Sequence, residues 1–132
     1  MLLVVAVICI LAAIVIPRLL SVGYRAKESR LRGDLAKLRA AIEHFQGDCG
    51  AFPPRLADIV ASSGDAISAN GDGNGLNVDR SAYRGPYLVT SDGRLPRDPI
   101  TLAADWDYDN AAGAVHSSST LEALDGTAYS SW

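Results

Sequence analysis

The residues best suited to holding a ligand lie in one short stretch. Asn70, Asp72 and Asn74 alternate with glycines and Gly75 follows at the sixth place, the spacing with which a calcium loop of the helix–loop–helix kind begins. Such a loop is closed by a bidentate Glu at its twelfth position, where this chain has Ser81, while Asp79 stands at the tenth. Hard-cation binding by Asp72, Asn74 and Asp79 is the chemistry on offer, set against an Asn/Gly-rich solvent loop, and Ca2+ is the one cofactor the pattern admits. A second group of oxygens, Ser119, Asp125 and Ser130, lies near the carboxyl end. His44 and His116 are linked to no nucleophile or acid–base set, and Ser117, Ser118 and Ser119 form a polar cluster without the strand–turn–helix setting of a nucleophile elbow. Cys9 and Cys49 belong to no CxxC pattern and are badly spaced for a bridge within one chain. With no phosphate-binding glycine motif either, the expectation is a protein that is not an enzyme.

The elements that position these residues are sorted by charge. Arg18 to Glu43 carries seven bases against three acids, and His44 to Trp132 five against twelve, so a net of +4 stands beside one of -7. An uncharged apolar terminus, a basic stem and an acidic head follow in order. A basic stem next to an apolar run suits anionic lipid head groups, and the acidic head argues against direct nucleic-acid binding. The 132 residues allow one globular domain, because the apolar terminus is lost to a water-soluble core. The expected divisions are 1–20 as a hydrophobic transmembrane and assembly segment, 21–47 as its amphipathic continuation, and 48–132 as a small head.

From Met1 to Pro17 the chain reads MLLVVAVICILAAIVIP, with no charge before Arg18. Leu2 to Ile16 is slightly short of the about 20 residues of a bilayer crossing. A cleavable signal would need a basic start and a small-residue cleavage site, and the sequence offers neither. Retained anchoring is therefore expected. Pro17 has no N–H to give and predicts a bend, with helix-favouring sequence continuing after it. Leu31, Leu35, Leu38, Ile42 and Phe45 then recur at spacings of 4, 3, 4 and 3, which places them on one helical face. Gly47 is expected to end the helix, ahead of the paired Pro53 and Pro54. Leu19, Leu20 and Val22 precede the head and are expected to pack on neighbouring copies.

In the head, Leu56 to Val60 reads as a short helix and Ser62 to Asn77 as a loop. Tyr87 to Val89 is a strand candidate, and Ala104–Tyr108 with Ala114–His116 form the arms of a hairpin. The fold class is α+β: a long N-terminal helix, membrane-inserted in its first half, packs through its second half on a small antiparallel sheet. Tyr87, Leu88, Trp106 and Tyr108 would be buried against the Leu/Ile/Phe stripe.

The terminal segment, Leu2-Leu3-Val4-Val5 through Ile10-Leu11-Ala12-Ala13-Ile14-Val15-Ile16-Pro17, resembles the methylated start of type IV pilins and type II secretion pseudopilins. Gly85-Pro86-Tyr87-Leu88 and Leu95-Pro96-Arg97-Asp98-Pro99 resemble the loop and strand region of the major pseudopilin, and Trp106-Asp107-Tyr108-Asp109 and the last eight residues fit related pilin-type domains more loosely. The resemblance implies a single-pass protein of the bacterial cytoplasmic membrane, head outside the cytoplasm, drawn into a periplasmic or extracellular filament. It implies further copies of the chain, related minor pilins or pseudopilins, an inner-membrane assembly platform and a prepilin peptidase as partners. Met1 stands where such proteins carry a Glu, and their leader cleavage site is absent, so a shortened start is expected.

Under that resemblance Leu2, Leu3, Val4, Val5, Ile10, Leu11, Ala12, Ala13, Ile14, Ile16 and Pro17 are the assembly helix. Their burial between copies would supply most of the assembly energy, at about 0.8 kcal/mol per methylene as an upper guide. Charge reversal at Arg30 and Arg32 is expected to disturb assembly. The alternative is a membrane-anchored monomeric binding module that uses the stem as a tether and the Asp72, Asn74 and Asp79 loop as its site.

Overall fold

Between Leu2 and Cys49 the sequence holds one proline and three glycines, and the remaining residues are mostly good helix formers. In the computed structural model, which describes residues 1–67 and 77–132 apart from the side chains of Pro17 and Leu20, they form one helix, α1 (Leu2–Cys49). Its 48 residues span roughly 72 Å and continue unbroken through position 17. α1 also outruns its expected end. Gly47 lies on the exposed side with open space beside its Cα, so it is absorbed as an ordinary helical residue. The stop is Gly50, whose φ of 76° only glycine adopts freely and whose N–H donates to the Gln46 carbonyl at 2.9 Å.

The second half of α1 buries the face that the spacing marks. Leu31, Leu35, Leu38, Ile42 and Phe45 are all at most 1% exposed, and Ala41 and Cys49 extend the same stripe. Asp34 is buried at its margin, between Arg30 one turn before it (3.6 Å) and Lys37 one turn after (3.7 Å). Against this face the head lays mostly irregular chain. Short 3-10 turns at Leu56–Val60, Gly64–Ala66, Arg80–Ala82 and Tyr129–Ser131 surround one hairpin, β1 (Asp107–Asp109) and β2 (Ala114–His116). The strands are antiparallel, pairing Asp107 with His116, Tyr108 with Val115 and Asp109 with Ala114. This is the α+β architecture expected: a long helix whose second half packs on a small two-stranded sheet.

Two expectations for the head need correction. The first arm of the hairpin begins at Asp107, not Ala104: pairing stops at Asp107 with His116, and Trp106, just outside the ladder, donates its indole N–H to the Pro96 carbonyl at 2.8 Å. Tyr87 to Val89 is not a strand. The N–H groups of Tyr87 and Leu88 both point at one acceptor, the Ile59 carbonyl, at 2.9 and 3.2 Å, whereas a strand sends alternate groups in opposite directions. Trp106 is buried, and Tyr87, Leu88 and Tyr108 are partly buried against the core as expected.

A polar knot stabilises the loop before the hairpin. Asp98 is fully buried, accepts the Ser117 hydroxyl through Oδ2 and the Ile100 N–H through Oδ1 at 2.7 Å. Its own main chain bonds Leu102 and Ala103, each at 2.8 Å, which closes the turn in which Leu102 takes a φ of 62°. Most buried polar groups in folded proteins are satisfied in this way.

Candidate functional site

The two halves of α1 have opposite surroundings. Leu2 is 89% exposed and Ile10 63%; Leu3, Val4, Val5, Leu11, Ile14 and Ile16 are likewise exposed, as are Ala12 and Ala13. A helix that is apolar all round suits a surrounding of lipid or of other helices. By length and composition α1 can cross a membrane, and none of its apolar window is buried by the head. Apart from Pro17, the expected assembly residues therefore share one exposed stretch, while Leu31, Leu35, Leu38, Ile42 and Phe45 of the head-packing set occupy the other end of the same helix.

The head is fixed to the stem at successive levels. Far from the apolar half, the Tyr87 hydroxyl donates to Asp48 Oδ2 at 2.7 Å, and Gly113 of the hairpin lies against Phe52, just past the helix. Midway, the Arg39 guanidinium donates to the Val115 carbonyl at 3.1 Å and to the Trp132 carbonyl. Nearer the apolar half, Arg32 lies over the Trp132 ring at 4.2 Å and reaches Asp125 at 3.8 Å. Last comes Glu28, whose Oε1 accepts the Leu124 N–H at 2.7 Å and the Tyr129 hydroxyl at 3.0 Å. Leu124 and Tyr129 of the closing segment therefore stand at the end of the packed stem nearest the apolar half. Arg30 and Arg32, expected to serve neighbouring copies, both have partners within the chain.

An aromatic cluster seals the opposite end. Phe45, Tyr83 and Tyr87 meet edge to face, with ring centres 5.2 to 5.9 Å apart. Tyr83 also donates to the Ala61 carbonyl at 2.7 Å. Burial, with the Asp48 carboxylate nearby, pushes the Tyr87 hydroxyl up to about 12, and burial raises the Cys49 thiol above its ordinary value. Tyr129 is likewise pushed up to about 12 by burial and by its bond to Glu28. Asp125 is held below the usual carboxylate range by the Thr127 hydroxyl and N–H, with a smaller contribution from Arg32.

The ligand-binding expectations meet a different setting. Asp72 and Asn74 lie outside the described residues. Asp79 accepts the Ser81 N–H at 3.0 Å and hydroxyl at 2.5 Å through Oδ1, so it caps the Arg80–Ala82 turn. Of the carboxyl-terminal oxygens, Ser119 is buried and accepts the Leu121 N–H at 3.2 Å, whereas Asp125 and Ser130 are exposed. Among the described residues no three His, Cys, Asp or Glu side chains gather into a metal-holding group. His44 is exposed on the stem, and His116 Nδ1 lies 3.3 Å from the Trp132 carbonyl. Ser117 is buried with its hydroxyl committed to Asp98, and both cysteines are free thiols.

Glu28, Arg39, Tyr83 and Asp98 are the organising residues that sequence reading passes over. Glu28 and Arg39 read as ordinary stem charges, since periodicity records which face a residue occupies and not which distant carbonyl it meets. Fold and surface together define a small α+β domain carried on a helix whose free half is apolar enough to span a membrane. Comparison with protein-family models, with curated proteins and with solved structures finds no match.

Proposed function

We propose that this chain is a structural subunit of a type IV pilus or type II secretion pseudopilus, held in the membrane by the first half of α1 and assembled by side-by-side packing of those helices. One observation supports the reading most: a single continuous helix joins a bare apolar rod to a half whose Leu31–Cys49 face is buried by the head. A tether alone needs no such continuity. A filament subunit does, because the head must follow the helix when the helix leaves lipid for a bundle of its neighbours. Contact between helices then replaces contact with acyl chains, and van der Waals packing decides the arrangement. Its partners in this reading are further copies, related minor subunits, an inner-membrane platform and a peptidase acting on a longer precursor.

Cross-linking within the producing membrane tests the proposal. Cys9 is exposed on the free rod, and Cys49 is buried in the head, so a bifunctional thiol reagent acting on Cys9 and one cysteine introduced at Ile16 reports contacts between rods. A ladder of dimers, trimers and higher species is expected. Monomer alone, at native abundance and with the introduced cysteine moved in turn from Ile16 to Ile14, Leu11 and Val5, would sink the proposal.

A further inference from the structure

The closing segment of the head carries two large apolar side chains that the core does not use. Leu121 and Leu124 are 61% and 55% exposed, although the intervening Ala123 is buried and the segment is pinned by Glu28. With Tyr24, Lys27, Ile100 and Tyr129 they line a groove of about 340 Å³ between the stem and the head. Tyr24 lies one helical turn beyond Glu28 toward the apolar rod, and its ring is exposed beneath the Lys27 ammonium, 5.9 Å from its centre.

We infer that this patch, Tyr24 with Leu121 and Leu124, is a second membrane foothold that rests in the headgroup layer of an anionic bilayer. The inference rests on the membrane-anchored reading of α1. Depth is the first reason. Tyr24 stands about 9 Å along the axis from Arg18, where the uncharged stretch ends, a distance comparable with the headgroup layer on one side of a bilayer. Continuity is the second: exposed Leu19 and Val22 carry the apolar surface of the rod up to the level of Tyr24. Chemistry is the third. Tyrosine and leucine beside long basic side chains match the water–lipid boundary, where an aromatic ring sits among head groups and lysine reaches toward phosphate. Arg18, Arg25, Lys27 and Arg30 are all exposed on this part of the stem. The acids nearby are Asp34, paired with Arg30 and Lys37, Glu28, engaged by Leu124 and Tyr129, Asp125, engaged by Thr127 and Arg32, and Glu122, which is exposed. Basic charge thus prevails toward the bilayer although the head as a whole is acidic. Seated this way, the head fixes its own orientation on the membrane before any neighbour is met.

The test uses the full chain with Cys9→Ser, reconstituted at low protein-to-lipid ratio in phosphatidylglycerol/phosphatidylethanolamine vesicles. A polarity-sensitive fluorophore is placed at Leu121→Cys, at Leu124→Cys or at Ala112→Cys; Ala112 is exposed beside Gly113, at the end of the head by Phe52. Expected are a blue shift and several-fold stronger quenching by brominated lipid at 121 and 124 than at 112. Equal, water-like emission at all three sites overturns the inference while flotation of the chain with the vesicles leaves the anchor standing. Shielding at 121 and 124 that appears only as protein density rises, without lipid quenching, also overturns it and assigns the groove to a second copy. A chain that fails to float overturns the anchored reading itself, and the foothold with it.

Discussion

Glu28 and Tyr129 meet at 3.0 Å across 101 residues of sequence, the hydroxyl donating to the carboxylate that also receives the Leu124 N–H. One side chain on the stem therefore holds the end of the head from two directions. Glu28→Ala removes the one oxygen that accepts both bonds and leaves the Tyr129 hydroxyl without that partner, which should cost about 2 kcal/mol. Glu28→Gln keeps a carbonyl acceptor and should recover most of that loss. Chemical denaturation of the detergent-solubilised chain, with proteolysis near residues 121–129, checks both variants; equal stability of all three proteins would show that the contact is incidental.

The two halves of α1 should separate in mutational effect. Phe45→Ala opens a cavity beneath Tyr83 and Tyr87 and should destabilise the head by about 3–5 kcal/mol, with Leu38→Ala close behind. Combined alanines at Ile10, Leu11 and Ile14 touch nothing in the head. They should leave its unfolding midpoint unchanged and weaken the cross-linked ladder. A head that loosens with the triple variant would contradict the division.

The stem was legible because its signals are local and repeated. Five apolar residues at helical spacing define the buried face of α1, and fifteen uncharged residues define the free rod without any knowledge of the head. The misplaced end at Gly47 shows the limit of such signals. Glycine stops a helix only where the chain must turn into the left-handed region, and that position is Gly50. The head was less legible because three-residue strands and 3-10 turns contribute few local restraints. Tyr87 to Val89 has a strand's composition, yet the acceptor for its amides is Ile59, and no pattern in residues 87 to 89 encodes that.

Gly113 should tolerate no side chain. Its φ is 66°, and a Cβ there would strike the Phe52 ring. Gly113→Ala should therefore cost roughly 1 kcal/mol for the backbone and about 1–3 kcal/mol more for displacing the ring. Gly93 also has a positive φ, of 65°, but open space around it, so Gly93→Ala should show the backbone contribution alone. Paired denaturation curves measure the difference, and equal losses would remove Phe52 from the account.

Alkaline pH should loosen the head before it affects the rod. Tyr87 and Tyr129 are pushed up to about 12 from an ordinary 10.0, and burial raises Tyr108 as well. A raised folded-state value means that the fold favours the neutral phenol. Its stabilisation is whole below pH 10 and is lost as pH climbs through 12, because the unfolded chain ionises first. The denaturation midpoint should fall across that window in step with phenolate absorbance, and Tyr87→Phe should make the fall shallower. A midpoint that is flat to pH 12 would mean that these hydroxyls are not protected.

Charge reversal on the stem should be read according to which bases the head already uses. Arg32 covers Trp132 and reaches Asp125, and Arg30 pairs with Asp34, so Arg32→Glu should unsettle the closing segment whether or not any neighbour is present. Loss of assembly in that variant would be ambiguous. Arg18 and Arg25 are exposed on the stretch between the rod and the packed face, and reversing both should leave head stability unchanged. If assembly or lipid contact draws on the basic stem, the Arg18→Glu/Arg25→Glu chain should lose cross-linked species or vesicle association while keeping its denaturation midpoint. Unchanged cross-linking and unchanged binding to anionic vesicles would show that the segregated charge serves neither.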